Sequence, residues 1–372
     1  MSAALIVAPA SGPLCGLKVL EFAGIGPVPF CGMLLADLGA DVLRIDRPGR
    51  RYGAEEIETR GRRSLVLDLK SAAGLTTALA LAEKADALLE GYRPGVMERL
   101  GIGPDAVLAR QPRLVYARMT GWGQSGPLAH AAGHDINFLA LSGALHAIGP
   151  AERPAIPLNV VGDLGGGALY LAFGILAGVL HASKSGEGQV IDCAMADGAA
   201  SLLAMVYGRL ARGGWRDTRE SNVIDGGAHF YNTYECADGK WLALGALEPR
   251  FYARLLRAAG IEDPRFAQQM DSASWPELRA RLAQLLRTRS RDEWCRLFAD
   301  ADVCVTPVLS LAEAPQHPHY LARHTFIELD GVLQPAPVPR FSRTPGVAQH
   351  GPVAAGTHDD TALASWCSEP PG

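Results

Sequence analysis

Leu17-Lys18-Val19-Leu20-Glu21-Phe22, then Ala23-Gly24-Ile25-Gly26-Pro27-Val28-Pro29, then Phe30 to Leu38 and Gly39, is the stretch that decides the fold. A short apolar run turns sharply through glycine and proline. It enters a segment of helical spacing and stops at a glycine, the residue that most readily closes a helix. Asp41 to Asp46 is a second short apolar run, which completes one strand-helix-strand unit. The pattern repeats outward. Ser64 to Leu69 alternates as a third strand, and Ala72 to Lys84 is an alanine- and leucine-rich helix. Asp86 to Glu90 is a fourth strand, closed by the turn Tyr92-Arg93-Pro94-Gly95. Val96 to Leu100 and Pro104 to Arg110 have helical character, and Leu114 to Met119 is a fifth strand. Such repetition predicts an α/β fold with a parallel, doubly wound sheet.

The middle of the chain is richer in helix. Ile136 to Leu145 and Gly165 to Ser183 are helical candidates, Gln189 to Ala194 is a sixth strand, and Asp197 to Arg212 is a long helix. Leu164 to Ala182 carries no charge and invites comparison with a membrane span, but its glycines favour a buried core helix. The texture changes between Gly213-Gly214 and Gly226-Gly227. Phe230 to Leu247 reads as a hairpin turning at Asp238-Gly239, followed by helices at Pro249 to Ala259, Trp275 to Thr288 and Arg291 to Phe298. The expected organisation is a large domain over 1–200, a linker over 201–228 and a small α+β domain over 229–310. A return segment over 311–372, proline-rich and irregular from Thr325, packs back on the large domain.

The chain has 372 residues, 48% of them apolar and 20% charged, which is ample for a core and argues against disorder. A net charge of −4 weighs against a nucleic-acid partner. Seven cysteines include no CxxC pair, so a zinc site is not expected. Scattered cysteines read as reduced, buried thiols and a cytoplasmic location. Residues 1–13 lack the basic start of a signal peptide, and 368–372 form no targeting tripeptide.

Five features bear on chemistry. Gly24-Ile25-Gly26 stands where a dinucleotide fold grips pyrophosphate, but Pro29 breaks G-x-G-x-x-G, so the simpler reading is a tight turn. Arg47, Arg50, Arg51, Arg60, Arg62 and Arg63 fall within 17 residues, and Arg93 follows the fourth strand. Guanidinium groups at the carboxyl edge of a parallel sheet suit a phosphorylated ligand; Glu55, Glu56 and Glu58 offer a self-neutralised loop instead. Gly133-His134-Asp135-Ile136-Asn137 opens an apolar helix. His134 there lies near unsatisfied backbone N–H groups that can hold an oxyanion, or else His134 or Asp135 simply caps the helix. Asp163, ahead of Gly165-Gly166-Gly167, reads as an N-cap, a base or a nucleophile, and the glycines need a packing or binding reason. Glu248, before Pro249, reads first as a charge at a helix start.

Taken together these pieces resemble one family. Phe30 to Ala40, Arg44-Ile45-Asp46-Arg47-Pro48-Gly49, Ser64 to Lys70, Tyr92 to Glu98, Gly121 to Gly126, Ala132 to Asn137, Asp225-Gly226-Gly227 and Gly245 to Pro249 are similar to the α-methylacyl-CoA racemase branch of the type III CoA-transferase superfamily. The resemblance implies a Rossmann-like large domain, a small domain and two linkers, interlocked with a second copy as a homodimer. It implies that His134 and Asp163 are the paired acid/base residues and that Glu248 of the partner subunit orients His134. Arg47, Val66, Leu67, Asp68, Leu69, Arg93, Ala132, Gly133, Asp135, Ile136 and Asn137 would contact coenzyme A. The implied substrate is an acyl-CoA, with no cofactor beyond its coenzyme A moiety, no metal, no nucleic acid and no membrane. Residues 1 to about 14 extend beyond the usual start. Phe138 stands where relatives commonly have Tyr, and methionines 33, 97, 119, 195, 205 and 270 are fewer than relatives place around the acyl group.

The implied chemistry is 1,1-proton transfer on a 2-methylacyl-CoA through an enolate, with a base on each face. Asp163 must then be protonated in one half-cycle, so burial has to outweigh the helix dipole at that carboxylate. The rival chemistry within the superfamily is CoA transfer, in which Asp163 attacks the thioester and His134 is not required. A non-catalytic CoA-binding protein would retain Arg47 and Arg93 but need neither His134 nor Asp163.

Overall fold

The computed structural model describes residues 11–367; the readings made on 1–10 and on 368–372 lie outside the described residues. Six strands form the central sheet: β1 (Lys18–Phe22), β2 (Asp41–Asp46), β3 (Arg63–Val66), β4 (Ala87–Glu90), β5 (Val115–Thr120) and β6 (Gln189–Ala194). Their order is β3-β2-β1-β4-β5-β6, and every neighbouring pair is parallel. The chain winds outward from β1 to β3, returns to β4 beside β1, and winds the other way. A crevice therefore opens at the carboxyl ends of β1 and β4.

Strand alternation builds the two layers. Val19, Val42, Ala87, Leu89, Val115 and Ala117 point to one face, where α1 (Pro27–Asp37) and later helices cover them. Leu20, Phe22, Leu43, Ile45, Leu88 and Tyr116 point to the other, under α2 (Ala72–Ala82), α3 (Val96–Arg99) and α4 (Pro104–Leu108). β3 ends at Val66, so Leu67 to Leu69, expected as strand, belong to the loop that leaves it. β5 leads through a loop to α5 (Asp135–Ser142), then α6 (Ala144–Ala147).

The apolar stretch is not one plain helix. Val160–Ala168 is a π-helical segment that runs on into α7 (Leu169–Ser185). Together they are long and apolar enough to cross a membrane, with about a third of the most apolar stretch buried. Leu171, Ile175, Gly178 and Ala182 pack on the sheet, while Leu169, Phe173 and Leu180 are exposed. The expected core helix thus has one buried face. The glycines have a packing reason: a Cβ on Gly198 would lie 1.8 Å from the Gly166 carbonyl oxygen. The π segment and α8 (Met195–Leu202) therefore touch backbone to backbone. The expected long helix breaks at Leu203 into α8 and α9 (Ala204–Ala211).

Contacts divide the chain into two compact units. One gathers Leu158–Leu202 with the chain before Gly143 and from Arg323 on; the other gathers Gly143–Pro157 with Leu203–Ala322. Most of the expected linker, 201–228, goes with the second unit, which also takes in residues to 322. That unit carries β7 (Tyr231–Glu235), β8 (Trp241–Gly245), α10 (Pro249–Ala258), α11 (Trp275–Leu286), α12 (Arg291–Phe298), β9 (Val305–Val308) and α13 (Pro318–Ala322). Its three-stranded antiparallel sheet, β7-β8-β9, backs a core that includes Phe230, Leu242, Trp275, Leu278 and Trp294.

The segment after Thr325 is more regular than its prolines suggest. It forms the hairpin β10 (Phe326–Leu329) and β11 (Val332–Pro335), and ends in α14 (Asp359–Cys367). Trp366 is fully buried in the layer beneath α2, and its indole N–H donates to the Leu81 carbonyl, 285 positions away, at 3.1 Å. Asp359 accepts the Val66 N–H at 2.8 Å, which covers part of the β3 edge. Among the cysteines, Cys31, Cys193 and Cys236 are buried as expected, whereas Cys15 and Cys304 are exposed.

Candidate active site

A cavity of about 390 Å³ occupies the crevice at the carboxyl edge of the six-stranded sheet. The loop after β1 supplies Ile25 to Val28, the turn after β4 supplies Gly91 to Pro94, and the end of β5 supplies Met119 to Trp122. His134 and Asp163 both reach this cavity, together with Phe138 and Met195.

His134 is placed by its backbone, and among the described residues its ring makes no hydrogen bond. Its N–H donates to Asn137 Oδ1 at 3.0 Å, and its carbonyl accepts the Asn137 and Phe138 N–H groups at 2.8 and 3.3 Å. Asn137, three residues on, thus reaches back to close the helix start. Neither the imidazole nor a carboxylate is needed as the cap. Phe138 is buried with its ring edge-on to Trp122, the centroids 4.8 Å apart, so the cavity wall is aromatic here.

Asp163 is not the N-cap that its position ahead of the glycines suggested. Asn159 holds that place, and Asp163 lies within the π segment, in its first turn. Its backbone N–H donates to Asp135 Oδ1 at 2.6 Å. Burial, then the charge of Asp135, push the Asp163 carboxyl above the ordinary aspartate range, against an Asn159 hydrogen bond and the nearby His134. Burial does outweigh the factors that favour the ionised form. Asp135 itself is 7% exposed, and its Oδ2 has no partner among the described residues.

The arginine cluster separates. Arg60 and Arg62 are buried and bound to Asp37 at 2.6 Å and Glu21 at 3.0 Å. Arg63 pairs with Asp41 at 2.6 Å and Arg50 with Glu56 at 2.5 Å. Four of the six arginines therefore hold carboxylates: Arg50 pairs within its own loop, as the self-neutralised alternative has it, whereas the partners of Arg60, Arg62 and Arg63 lie 22 to 41 positions away on other elements. Arg47, Arg51 and Arg93 are exposed, and Arg47 and Arg93 follow β2 and β4 at the cavity's edge of the sheet. Only Arg93 of these lines the cavity.

The remaining expected contacts fall in three places. Ala132 and Gly133 line the cavity beside His134; Ile136 is exposed and Asn137 is engaged in the cap. Val66, Leu67, Asp68 and Leu69 surround the end of β3 and are not in the cavity wall: Leu67 N–H donates to the Asp46 carbonyl at 3.0 Å, and Asp68 accepts the Lys70 N–H at 3.0 Å. Glu248 belongs to the second unit, as the exposed N-cap of α10. Ile25 to Pro27, read from the sequence as a tight turn, and Tyr92 and Trp122, quoted only as parts of motifs, also line the cavity. Their shared signal is position, since each follows a strand that flanks the crevice. Of the interior methionines, Met119 and Met195 line the cavity.

The fold and this site define a class: the chain belongs to CoA-transferase family III, which it matches over residues 14–359. Within that class it is 47% identical over 337 residues to the alpha-methylacyl-CoA racemase of Mus musculus, covering 90% of this chain and 88% of that protein. It is 43% identical over 348 residues to the alpha-methylacyl-CoA racemase of Homo sapiens, covering 91% of each. The crystal structure of a CAIB/BAIF family protein from Brucella suis superposes with a TM-score of 0.82 at 27% identity, covering 96% of this chain and 100% of that one.

Proposed function

We propose that this chain is a racemase of 2-methylacyl-CoA thioesters that moves one proton on and off the α-carbon through an enolate. The observation that carries the proposal is that His134 and Asp163 reach one cavity from two separate helix starts, with the Asp163 carboxyl held above its ordinary range. Inversion needs one group on each face of a planar intermediate. In one direction the His134 imidazole takes the proton and protonated Asp163 returns one; in the other the roles exchange. The N–H groups that open α5 beside Asp135 are suited to hold the enolate oxygen.

Arg47 and Arg93 are the cations we assign to the coenzyme A phosphates, with Val66 to Leu69 and Ala132 to Asn137 along the rest of the molecule. No group beyond the coenzyme A moiety enters this chemistry. We further propose a homodimer in which Glu248 of the partner subunit orients His134. Leu169, Phe173 and Leu180, exposed by 52, 73 and 57%, support a second copy, because an apolar face of this kind is costly in water. The cysteine usage suits a cytoplasmic protein.

Family membership also raises CoA transfer, in which the Asp163 carboxylate attacks the thioester. That chemistry does not require a histidine at position 134, so the presence of His134 in the same cavity favours proton transfer. Proton NMR of 2-methylacyl-CoA with the enzyme in D2O separates the two. Loss of the α-proton signal with both epimers appearing is the expected result. Thioester migration to an added carboxylic acid, without α-exchange, overturns the racemase reading.

A further inference from the structure

Asp135 takes no part in proton transfer as proposed, yet it is the point where the two halves of the site meet. It opens α5 next to His134, and its Oδ1 accepts the Asp163 N–H at 2.6 Å across 28 positions of sequence. The π segment that carries Asp163 has no side-chain cap of its own. The residue before Asp163 is also shaped by this carboxylate. A Cβ on Gly162 would lie 2.3 Å from Asp135 Oδ1, 2.8 Å from its Cγ and 3.3 Å from its Oδ2. Position 162 is thus closed to any side chain by Asp135 before anything else.

We infer that Asp135 is a positioning residue. Its carboxylate ties the Asp163 backbone to the helix start that presents His134, and so fixes the spacing between the two proton-handling groups. The inference rests on the reading of His134 and Asp163 as the acid/base pair. Holding reacting groups to within a fraction of an ångström is worth orders of magnitude in rate, whereas binding of the distant nucleotide does not depend on it.

The tie carries charge as well as geometry. Titratable side chains on the elements packed against the π segment include Cys31 on α1, Tyr170 on α7, Cys193 on β6 and Asp197 on α8, besides His134 and Asp135. Of these, His134 and Asp135 act on the Asp163 carboxyl, in opposite directions, and Asp135 acts to hold it up.

Four variants of the full-length enzyme test this in the D2O exchange assay: Asp135→Asn, Asp135→Ala, Gly162→Ala and the double variant Asp135→Ala/Gly162→Ala. Asp135→Asn keeps an acceptor and removes the charge. Its kcat should fall about tenfold, and the Asp163 limb of its pH profile should move to lower pH. Asp135→Ala and Gly162→Ala should each lose about 10²-fold in kcat. The double variant should be no slower than Asp135→Ala, because the clash at position 162 has gone. Asp135→Ala within about twofold of the wild type overturns the inference, as does full additivity of the two losses. Should Asp135→Ala not fold by circular dichroism, an unmoved pH limb in Asp135→Asn overturns it. Wild-type enzyme that leaves the α-proton untouched overturns the acid/base reading itself, and the tie's purpose with it.

Discussion

Two helix starts serve this cavity, and they are secured in opposite ways. The α5 start is self-contained: Asn137 bonds back to the His134 N–H, and the imidazole is not used as the cap. The π start has no such cap. It is held from outside, by Asp135 and by backbone contact with α8 at Gly166 and Gly198. A local cap places a side chain by sequence alone, within three residues. An external hold makes the position of Asp163 depend on distant packing, and leaves its carboxyl where burial and a neighbouring charge can raise its pKa. A π-helical stretch beside α-helix is a recurrent mark of functional sites, and here it coincides with the residue whose titration matters.

The largest expected effects come from breaking each start at its functional side chain. His134→Ala and Asp163→Asn should each slow racemisation about 10²- to 10⁴-fold with the fold retained by circular dichroism. Each should also exchange the α-proton of one enantiomer better than the other, because one base survives. Equal residual exchange of both enantiomers would collapse the distinction between the two starts. Next in size is the external hold. Gly198→Ala forces a methyl group against the Gly166 carbonyl and should cost about 1–3 kcal/mol of stability, read from denaturant midpoints. The local cap is weaker: Asn137→Ala should cost about 1 kcal/mol in the same measurement. A larger loss from Asn137→Ala than from Gly198→Ala would reverse the comparison.

The smallest effect is the one that tells the two starts apart by acidity. The Asp163 carboxyl is raised, so its protonated form persists to higher pH than that of an ordinary aspartate. Racemisation takes up and releases no net proton, so kcat/KM of the two enantiomers shares one pH profile, and the limb that belongs to Asp163 should lie above the ordinary aspartate range. Rate profiles of the wild type and of Asp163→Asn check this, and a limb that stays unchanged in the variant would contradict it.

Much of this was legible in the sequence. The short runs Leu17–Phe22 and Asp41–Asp46 and the glycine stop at Gly39 were enough for β1, α1 and β2, because these signals are local. His134 and Asp163 were visible as polar residues at the openings of apolar helices. The tie between them was not, since Asp135 and Asp163 stand 28 positions apart and no spacing rule connects them. The arginine cluster misled for the same reason. Arg60 and Arg62 sit among Arg47, Arg50 and Arg51 in sequence, but Asp37 and Glu21, 23 and 41 positions away, draw them inward. The proline-rich appearance of the chain after Thr325 likewise concealed Trp366, whose burial depends on the layer beneath α2 rather than on its neighbours.

That buried tryptophan has a consequence for the order of assembly. The unit that holds the sheet is made from early and late parts of the chain, while all but fifteen residues of the other unit run without interruption from Leu203 to Ala322. During synthesis the sheet waits, with the layer beneath α2 missing Trp366 and the β3 edge missing Asp359, while the chain of the other unit is made in full. A ribosome that stalls after Ala322 would release a complete set of strands for the parallel sheet with one edge open, a state prone to pair with other chains. The last helix therefore acts as the latch that ends this exposure.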